Sequence, residues 1–381
     1  MTDVVIIGGG LGGYLLATEI SKKSPEINLT MLTADAGTYY LKPALSAALA
    51  QQKSLSDLAM FTAEEMAKRL NMKVIPHAYV ERIDSTTQTI HTADKTYSYD
   101  KCILATGSKV IPLNLGQELS EQVFTVNSLA DYARFRDVLT KPRKITVIGS
   151  GLVGVEFAND LAAAGHEVAV VGDSAYPLPQ MIPLELGKVL QAAMQDRGIT
   201  WSLNQTVTSI NSNADKVKVE CASGEALDSD LVLIAIGIRP DLGLAQASGL
   251  QTNTGIIVDL ECRTSEKNIF AIGDCAEVAG MSLYYVPPIR KCAAAIAATL
   301  AGEPTQVVYP AMPVTVKSPA CPIVACIPRV DLELKTEISG SGHDLTARYV
   351  DTTGKLHGFA LSGTATSQKM ELAQQIENWL G

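Results

Sequence analysis

The sequence predicts an α/β protein built around two Rossmann-like units, each a parallel sheet whose first strand runs into a glycine-rich turn and a helix. Three observations carry this. An apolar strand meets a glycine turn at the start of the chain, the same pattern returns about 140 residues later, and further apolar strands end in glycine or aspartate.

At 381 residues the chain exceeds the roughly 150 that one ordinary domain holds, so two or three units are expected. Hydrophobic residues make up 47% and charged ones 19%, and no apolar run approaches the roughly 20 residues of a membrane span. A globular protein without membrane insertion follows. Val4-Val5-Ile6-Ile7 opens the chain with neither a basic leader nor a small-residue cleavage site, which places it in the cytoplasm. The 31 Lys and Arg against 40 Asp and Glu, net −9, exclude a nucleic-acid surface. Seven cysteines, an odd number scattered over the chain, read as reduced thiols. None are paired at the spacing of a zinc site, so no metal is expected.

The first unit reads as a strand from Asp3, the turn Gly8-Gly9-Gly10-Leu11-Gly12-Gly13, a helix over 14–21 and a strand over 29–32. Gly8 permits the tight turn, Gly10 admits a pyrophosphate close to the backbone, and Gly13 lets helix and strand pack. The helix N-terminus supplies free N–H groups to the anion. The acidic residue expected about 20 positions on, for a ribose hydroxyl, is displaced. Thr33 stands at the strand end, so the backbone of Thr33 and Ala34 is a candidate for holding the adenosine end. Asp35 is either a hydroxyl acceptor or a turn carboxylate with Gly37.

The second unit repeats this with Lys144-Ile145-Thr146-Val147-Ile148, then Gly149-Ser150-Gly151-Leu152-Val153-Gly154, with Glu156 two residues beyond the third glycine. Its next strand, 168–171, ends at Gly172-Asp173. With no Arg or Lys beside it, Asp173 would repel a 2′-phosphate and favour NADH over NADPH, although Gly172 occupies the usual acidic slot.

Three more strand ends complete the set: Cys102-Ile103-Leu104-Ala105-Thr106-Gly107, a strand over 231–238 ending in Gly237 before Arg239-Pro240, and Asn268-Ile269-Phe270-Ala271-Ile272-Gly273-Asp274. In this order they resemble the two-dinucleotide-binding flavoproteins, which include glutathione reductase and the ferredoxin reductases, over about residues 1–310. The resemblance implies FAD on the first unit and NADH on the second, with Ala105, Thr106, Gly107 and Gly237 at the nucleotide-facing strand ends. It also implies Asp274 on the FAD ribitol, the Val80 backbone on the adenine, and the Val286 backbone on the isoalloxazine. Tyr284-Tyr285-Val286-Pro287-Pro288 and the alanine-rich run after it predict a helix with proline in its first turn, whose N-terminus would favour negative charge on a reduced flavin. The implied domains are a discontinuous FAD-binding one (1–110 and 240–308), an NADH-binding one (111–239) and a small α+β C-terminal one (309–381).

Glutathione-reductase relatives relay electrons through a C-x₄-C disulfide early in the FAD domain. Here that region, Tyr39-Tyr40-Leu41-Lys42-Pro43-Ala44-Leu45-Ser46, has no cysteine, which excludes the relay. Cys321 and Cys326 have the spacing, but side chains five apart on a strand face opposite sides. The Tyr40-x-Lys42-Pro43-x-Leu45-Ser46 pattern instead resembles the bacterial rubredoxin reductases. So do Asp131-Tyr132-Ala133-Arg134-Phe135-Arg136, Glu156-Phe157-Ala158-Asn159-Asp160-Leu161, and the run from Met312 through Lys317 to Pro322.

That family passes NADH electrons to rubredoxin, which in alkane-degrading bacteria serves a membrane alkane monooxygenase. By this resemblance Lys42 sits near flavin N5 beside Pro43 and pairs with Glu156, holding nicotinamide C4 within about 3–3.5 Å of N5. Lys317 contacts the ring. Each has a plainer alternative: a solvated Lys42, a first-turn helix carboxylate at Glu156, an edge-strand lysine at 317. Rival readings on the same scaffold are a flavorubredoxin, a ferredoxin or O₂ as acceptor, or a nucleotide-binding redox sensor. The chain is expected to act as a monomer, with a dimer as the alternative.

Overall fold

A computed structural model describes residues 2–116, 119–213, 216–329 and 331–381. Five parallel strands form the first sheet, in the order Ile269–Ala271, Lys101–Leu104, Asp3–Ile7, Asn28–Leu32, Lys73–Ile75. Asp3–Ile7 lies at its centre, and Val4 to Ile7 are buried on both faces, which is why its sequence is apolar without alternation. The strand taken from beyond residue 268 makes this unit discontinuous in the chain. The helix Leu11–Lys23 starts inside the glycine motif, with Gly10 as its N-cap and three residues before the expected Tyr14, and buries Tyr14, Leu16, Ala17 and Ile20. Lys22 and Lys23 in its last turn suit the negative end of the helix dipole.

The second sheet has the same plan: Val123–Thr125, Leu231–Ile234, Lys144–Ile148, Glu167–Val171, Thr200–Ser202, again all parallel. Its glycine turn leads into the helix Leu152–Ala163. Each sheet is accompanied by a three-stranded antiparallel meander, Val80–Asp84, Thr89–Thr92 and Thr96–Ser98 in the first unit, and Val207–Asn213, Lys216–Cys221 and Ala226–Ser229 in the second.

One expected strand is interrupted. The segment read as continuous over 231–238 stops at Ile234, and Gly237, at φ +114°, turns the chain away. A new short strand, Ile238–Pro240, then pairs antiparallel with Ser108–Val110. A side chain would be strained at that φ, so the glycine is what lets the two crossings between units run side by side.

Beyond residue 310 an antiparallel sheet runs Val314–Val316, Ile323–Cys326, Leu356–Ser362, Asp344–Val350, Lys335–Ser341, followed by a short helix, Lys369–Gln374. Its first edge strand leads into Lys317. One core joins all three parts of the chain: Leu45, Ala48 and Leu58 pack with Val147 and Phe157 of the second unit and with Val316 and Ile323 of the last sheet. This shared packing brings Lys42, Glu156 and Lys317 to one place. Among the described residues no helix is long and apolar enough to cross a membrane.

Candidate active site

In both parallel sheets the glycine turns lie at the carboxyl ends of the strands, where open α/β sheets bind ligands. Gly8, at φ +119°, is pressed so close to the Ala105 carbonyl that a Cβ would lie 2.2 Å from its oxygen, and a Cβ on Gly13 would lie 2.1 Å from the Gly8 oxygen. Gly149 and Gly154 repeat the arrangement, at 2.4 Å from the Ala235 oxygen and 2.0 Å from the Gly149 oxygen. The middle glycines differ in kind. Around Gly10 and Gly151 a Cβ would meet nothing within 4 Å, and neither helix that follows has a side-chain cap. Open space in front of uncapped helix amides is the cradle a pyrophosphate requires. The residues present therefore fit two dinucleotides.

A single cavity of about 750 Å³ runs along these ends. It is lined by Gly8, Gly9, Gly10, Leu11 and Gly12, by Thr33, Ala34, Asp35 and Val80, and by Ala105, Thr106 and Gly107. It is also lined by Lys42, Pro43, Asp274 and Val286, and by Leu152, Val153, Glu156, Gly237 and Lys317. Gly13, Gly149, Gly151, Gly154 and Asp173 do not line it. Asp173 is exposed and accepts from the Ser174 hydroxyl at 3.0 Å. Its neighbour Gly172 has a role the sequence did not disclose: a Cβ there would lie 2.5 Å from Ser150 Oγ, so the serine of the turn fills the slot an acidic side chain would need.

At the far end of the first unit, Thr33 uses its N–H on the Ile75 carbonyl and its carbonyl on Ala78 N–H. The Thr33 backbone is thus committed to the fold, and of the expected pair Ala34 is left to meet an adenosine. Asp35 Oδ1 accepts from Thr33 Oγ1 at 2.6 Å and from Gly37 N–H at 2.8 Å. It is a turn carboxylate that also borders the cavity.

Lys42 opens the short 3₁₀ turn Lys42–Ala47, with Pro43 in its first positions. Its ammonium lies 3.4 Å from Ser108 Oγ and 4.0 Å from Asp274 Oδ2, and Ser108 donates to Asp274 at 2.8 Å. Burial lowers the Lys42 pKa, a shift that the Asp274 and Asp131 charges oppose. Ser108 was invisible to sequence reasoning, because a hydroxyl between a lysine and a carboxylate has no spacing signature.

The expected Lys42–Glu156 pair is not formed. Glu156 lies in the second turn of its helix, not the first, and is only 4% exposed, so its placement is not that of a carboxylate serving the dipole. It accepts the Lys317 backbone N–H on Oε1 at 2.9 Å, and the Lys317 ammonium and the Ser46 hydroxyl, the latter at 2.6 Å, on Oε2. The last sheet delivers both donors of Lys317 to Glu156, while Lys42 faces Asp274. Lys317 does follow an edge strand, as its plainer reading had it, yet it also borders the cavity.

Val286 begins the helix Val286–Leu300, which has proline in its first turn and no side-chain cap, and Val286 and Pro287 line the cavity. All seven cysteines are buried and unpaired. Cys321 and Cys326 belong to different cores, as side chains facing opposite ways must.

Residues 2–302 match the family described as pyridine nucleotide-disulphide oxidoreductase, and residues 306–376 match the rubredoxin binding C-terminal domain. The chain is 38% identical over 377 residues to a rubredoxin-NAD(+) reductase of Alcanivorax borkumensis, covering 99% of each. It is 33% identical to a nitric oxide reductase FlRd-NAD(+) reductase of Klebsiella pneumoniae, covering 99% of this chain and 100% of the relative. In fold it is similar to the reductase in a covalent putidaredoxin reductase–putidaredoxin complex, with a TM-score of 0.90 at 23% identity over 98% of this chain and 93% of that one. The chain belongs to the pyridine nucleotide-disulphide oxidoreductase family, as an FAD- and NADH-using oxidoreductase that carries a rubredoxin-binding C-terminal domain.

Proposed function

We propose that this protein takes hydride from NADH and passes the electrons singly to rubredoxin, in the cytoplasm, for the hydroxylation of alkanes. The observation that carries the reading is the pairing of two features: no cysteine borders the cavity, so a dithiol relay has no residues, and a rubredoxin-binding domain supplies the Lys317 side of the site. Bound FAD would supply the conversion of one two-electron donation into two one-electron steps, and the protein's part is positioning.

The first turn and its helix hold the FAD pyrophosphate through Gly9, Gly10, Leu11 and Gly12, with Asp274 on the ribitol. The second turn holds NADH through Gly151, Leu152 and Val153, and Asp173 disfavours a 2′-phosphate. Lys42 and Lys317 border the reacting region as cations, each held by its own carboxylate, and suit negative charge developing between them. The Val286 helix N-terminus adds to that field.

A second reading has a specific support, since relatives named for a flavorubredoxin acceptor match over the full chain at 33% identity. Steady-state NADH oxidation with purified rubredoxin, flavorubredoxin and ferredoxin separates the two. The highest kcat/KM is expected with rubredoxin, and a higher value with flavorubredoxin would replace the first reading by the second.

A further inference from the structure

Ser46, Glu156 and Lys317 border two cavities at once. One is the cavity described above. The other, of about 520 Å³, lies between the helix Leu152–Ala163, the chain just after the Lys42–Ala47 turn, and the loop that follows the edge strand Val314–Val316. The three hydrogen-bonded side chains are therefore a partition, with space on either side of a buried carboxylate.

The polar chemistry continues on the far side. Asp160, one turn beyond Glu156 on the same helix and 3% exposed, accepts Leu49 N–H at 3.1 Å and Ala50 N–H at 2.8 Å. Asn159 donates from Nδ2 to Ser318 Oγ at 3.1 Å. Burial raises the Asp160 pKa; the two amides and the charges of Arg136 and Lys317 oppose it, and Tyr132 is the other titratable group beside it. Farther out the wall is small or exposed: Ala163, Pro319, and Arg197 at the rim.

On the proposed function, on which this inference rests, the balance is NADH plus two oxidised one-electron acceptors giving NAD⁺, H⁺ and two reduced acceptors. Hydride transfer itself consumes no proton. One proton must nevertheless leave the interior on every turnover.

We propose that the partition is the proton outlet, through which the proton passes from a Glu156 carboxylate oxygen by way of the Ser46 hydroxyl to water in the second cavity. With FAD bound, the proton would come from the N–H bond that breaks as reduced flavin gives up its electrons; the O–H bond that forms at Glu156 breaks in turn as Ser46, which both accepts and donates, takes that proton on one side and releases its own to water on the other. The Lys317 ammonium keeps Glu156 oriented, and Asp160 presents negative charge to the departing proton. No electron uses this route; both go to the acceptor.

The test is made anaerobically on the holoenzyme in weak buffer with a pH-indicator dye, mixing it with NADH and rubredoxin. Ala163→Trp narrows the second cavity without touching the partition. It should leave bleaching of the flavin band by NADH at the wild-type rate while slowing dye-reported proton release about a hundredfold, the lower end for loss of a positioned proton-transfer group. Ser46→Ala should slow release as much and raise its solvent deuterium effect. If either variant misfolds, infrared difference spectra of the unmodified enzyme decide, with a carboxylic-acid band that shifts in D₂O and is lost in Glu156→Gln. Wild-type proton release in both folded variants, or the absence of that band, would overturn the outlet alone. Failure of rubredoxin to oxidise the reduced wild-type enzyme would instead remove the function on which it rests.

Discussion

Glu156 receives Lys317 through both the backbone N–H, at 2.9 Å, and the ammonium, so a residue of the helix Leu152–Ala163 is bound to the first residue after the edge strand of the last sheet. Because the Glu156 side chain is 5% exposed and the Lys317 side chain 33%, the two ends of the pair are unequal. Removing the lysine strands a buried carboxylate, whereas removing the carboxylate frees a lysine that reaches water.

Lys317→Met is accordingly expected to lower stability by roughly 2–3 kcal/mol, at or just below the lower end of the range for breaking a buried pair because the lysine is part-exposed, and Glu156→Gln by less. The double variant should recover part of the loss in Lys317→Met, since no unpaired charge remains. Denaturant unfolding of the holoproteins measures all three.

Lys42 gives the pH prediction. Burial lowers its pKa below the usual 10.5, so in the folded protein it loses its proton before an exposed lysine would. The cation at the reacting region then disappears as pH rises. The rate of flavin reduction by NADH should fall on an alkaline limb below 10.5, and Lys42→Arg, whose guanidinium stays charged, should remove the limb. The stability contribution has the opposite sign: the cost of burying the charged form is present at low pH and is relieved as pH rises through the folded-state value. Stopped-flow absorbance and unfolding across the same pH series check both.

The two open glycines separate the two nucleotides. With nothing within 4 Å of a Cβ at Gly10 or Gly151, valine fits the protein at either place but occupies the space meant for a phosphate. Gly10→Val should purify without a flavin absorption band. Gly151→Val should keep the band and lose NADH affinity by about a hundredfold or more, the cost of roughly two lost charge-assisted hydrogen bonds. Gly8→Ala, by contrast, drives a Cβ into the Ala105 carbonyl and is expected to impair folding itself, as circular dichroism would report.

Much of the fold was legible because backbone constraints write themselves into sequence. Gly8, Gly13, Gly149 and Gly154 are glycines because a Cβ at each would lie 2.0 to 2.4 Å from a carbonyl oxygen, and the strands leading into each turn are apolar because both faces are covered. The break at Gly237 was not legible, since an apolar run carries no sign of where its strand leaves the sheet. Nor was the choice of partner for Glu156. Two lysines with similar motifs were available, and only the placing of the edge strand Val314–Val316 against the shared core of Leu45, Phe157 and Ile323 brings one to the carboxylate and leaves the other to Asp274. Side-chain hydroxyls such as Ser46 and Ser108 join these networks through tertiary structure alone.

The most direct test of single-electron delivery to rubredoxin is a stoichiometric one. Holoenzyme reduced anaerobically with one equivalent of NADH is mixed with excess oxidised rubredoxin, and flavin and iron absorbance are followed together. Two equivalents of rubredoxin reduced for each NADH, with the flavin band returning at the same rate, is the expected result. Reduced flavin that persists beside oxidised rubredoxin, or fewer than two equivalents reduced for each NADH, would contradict it.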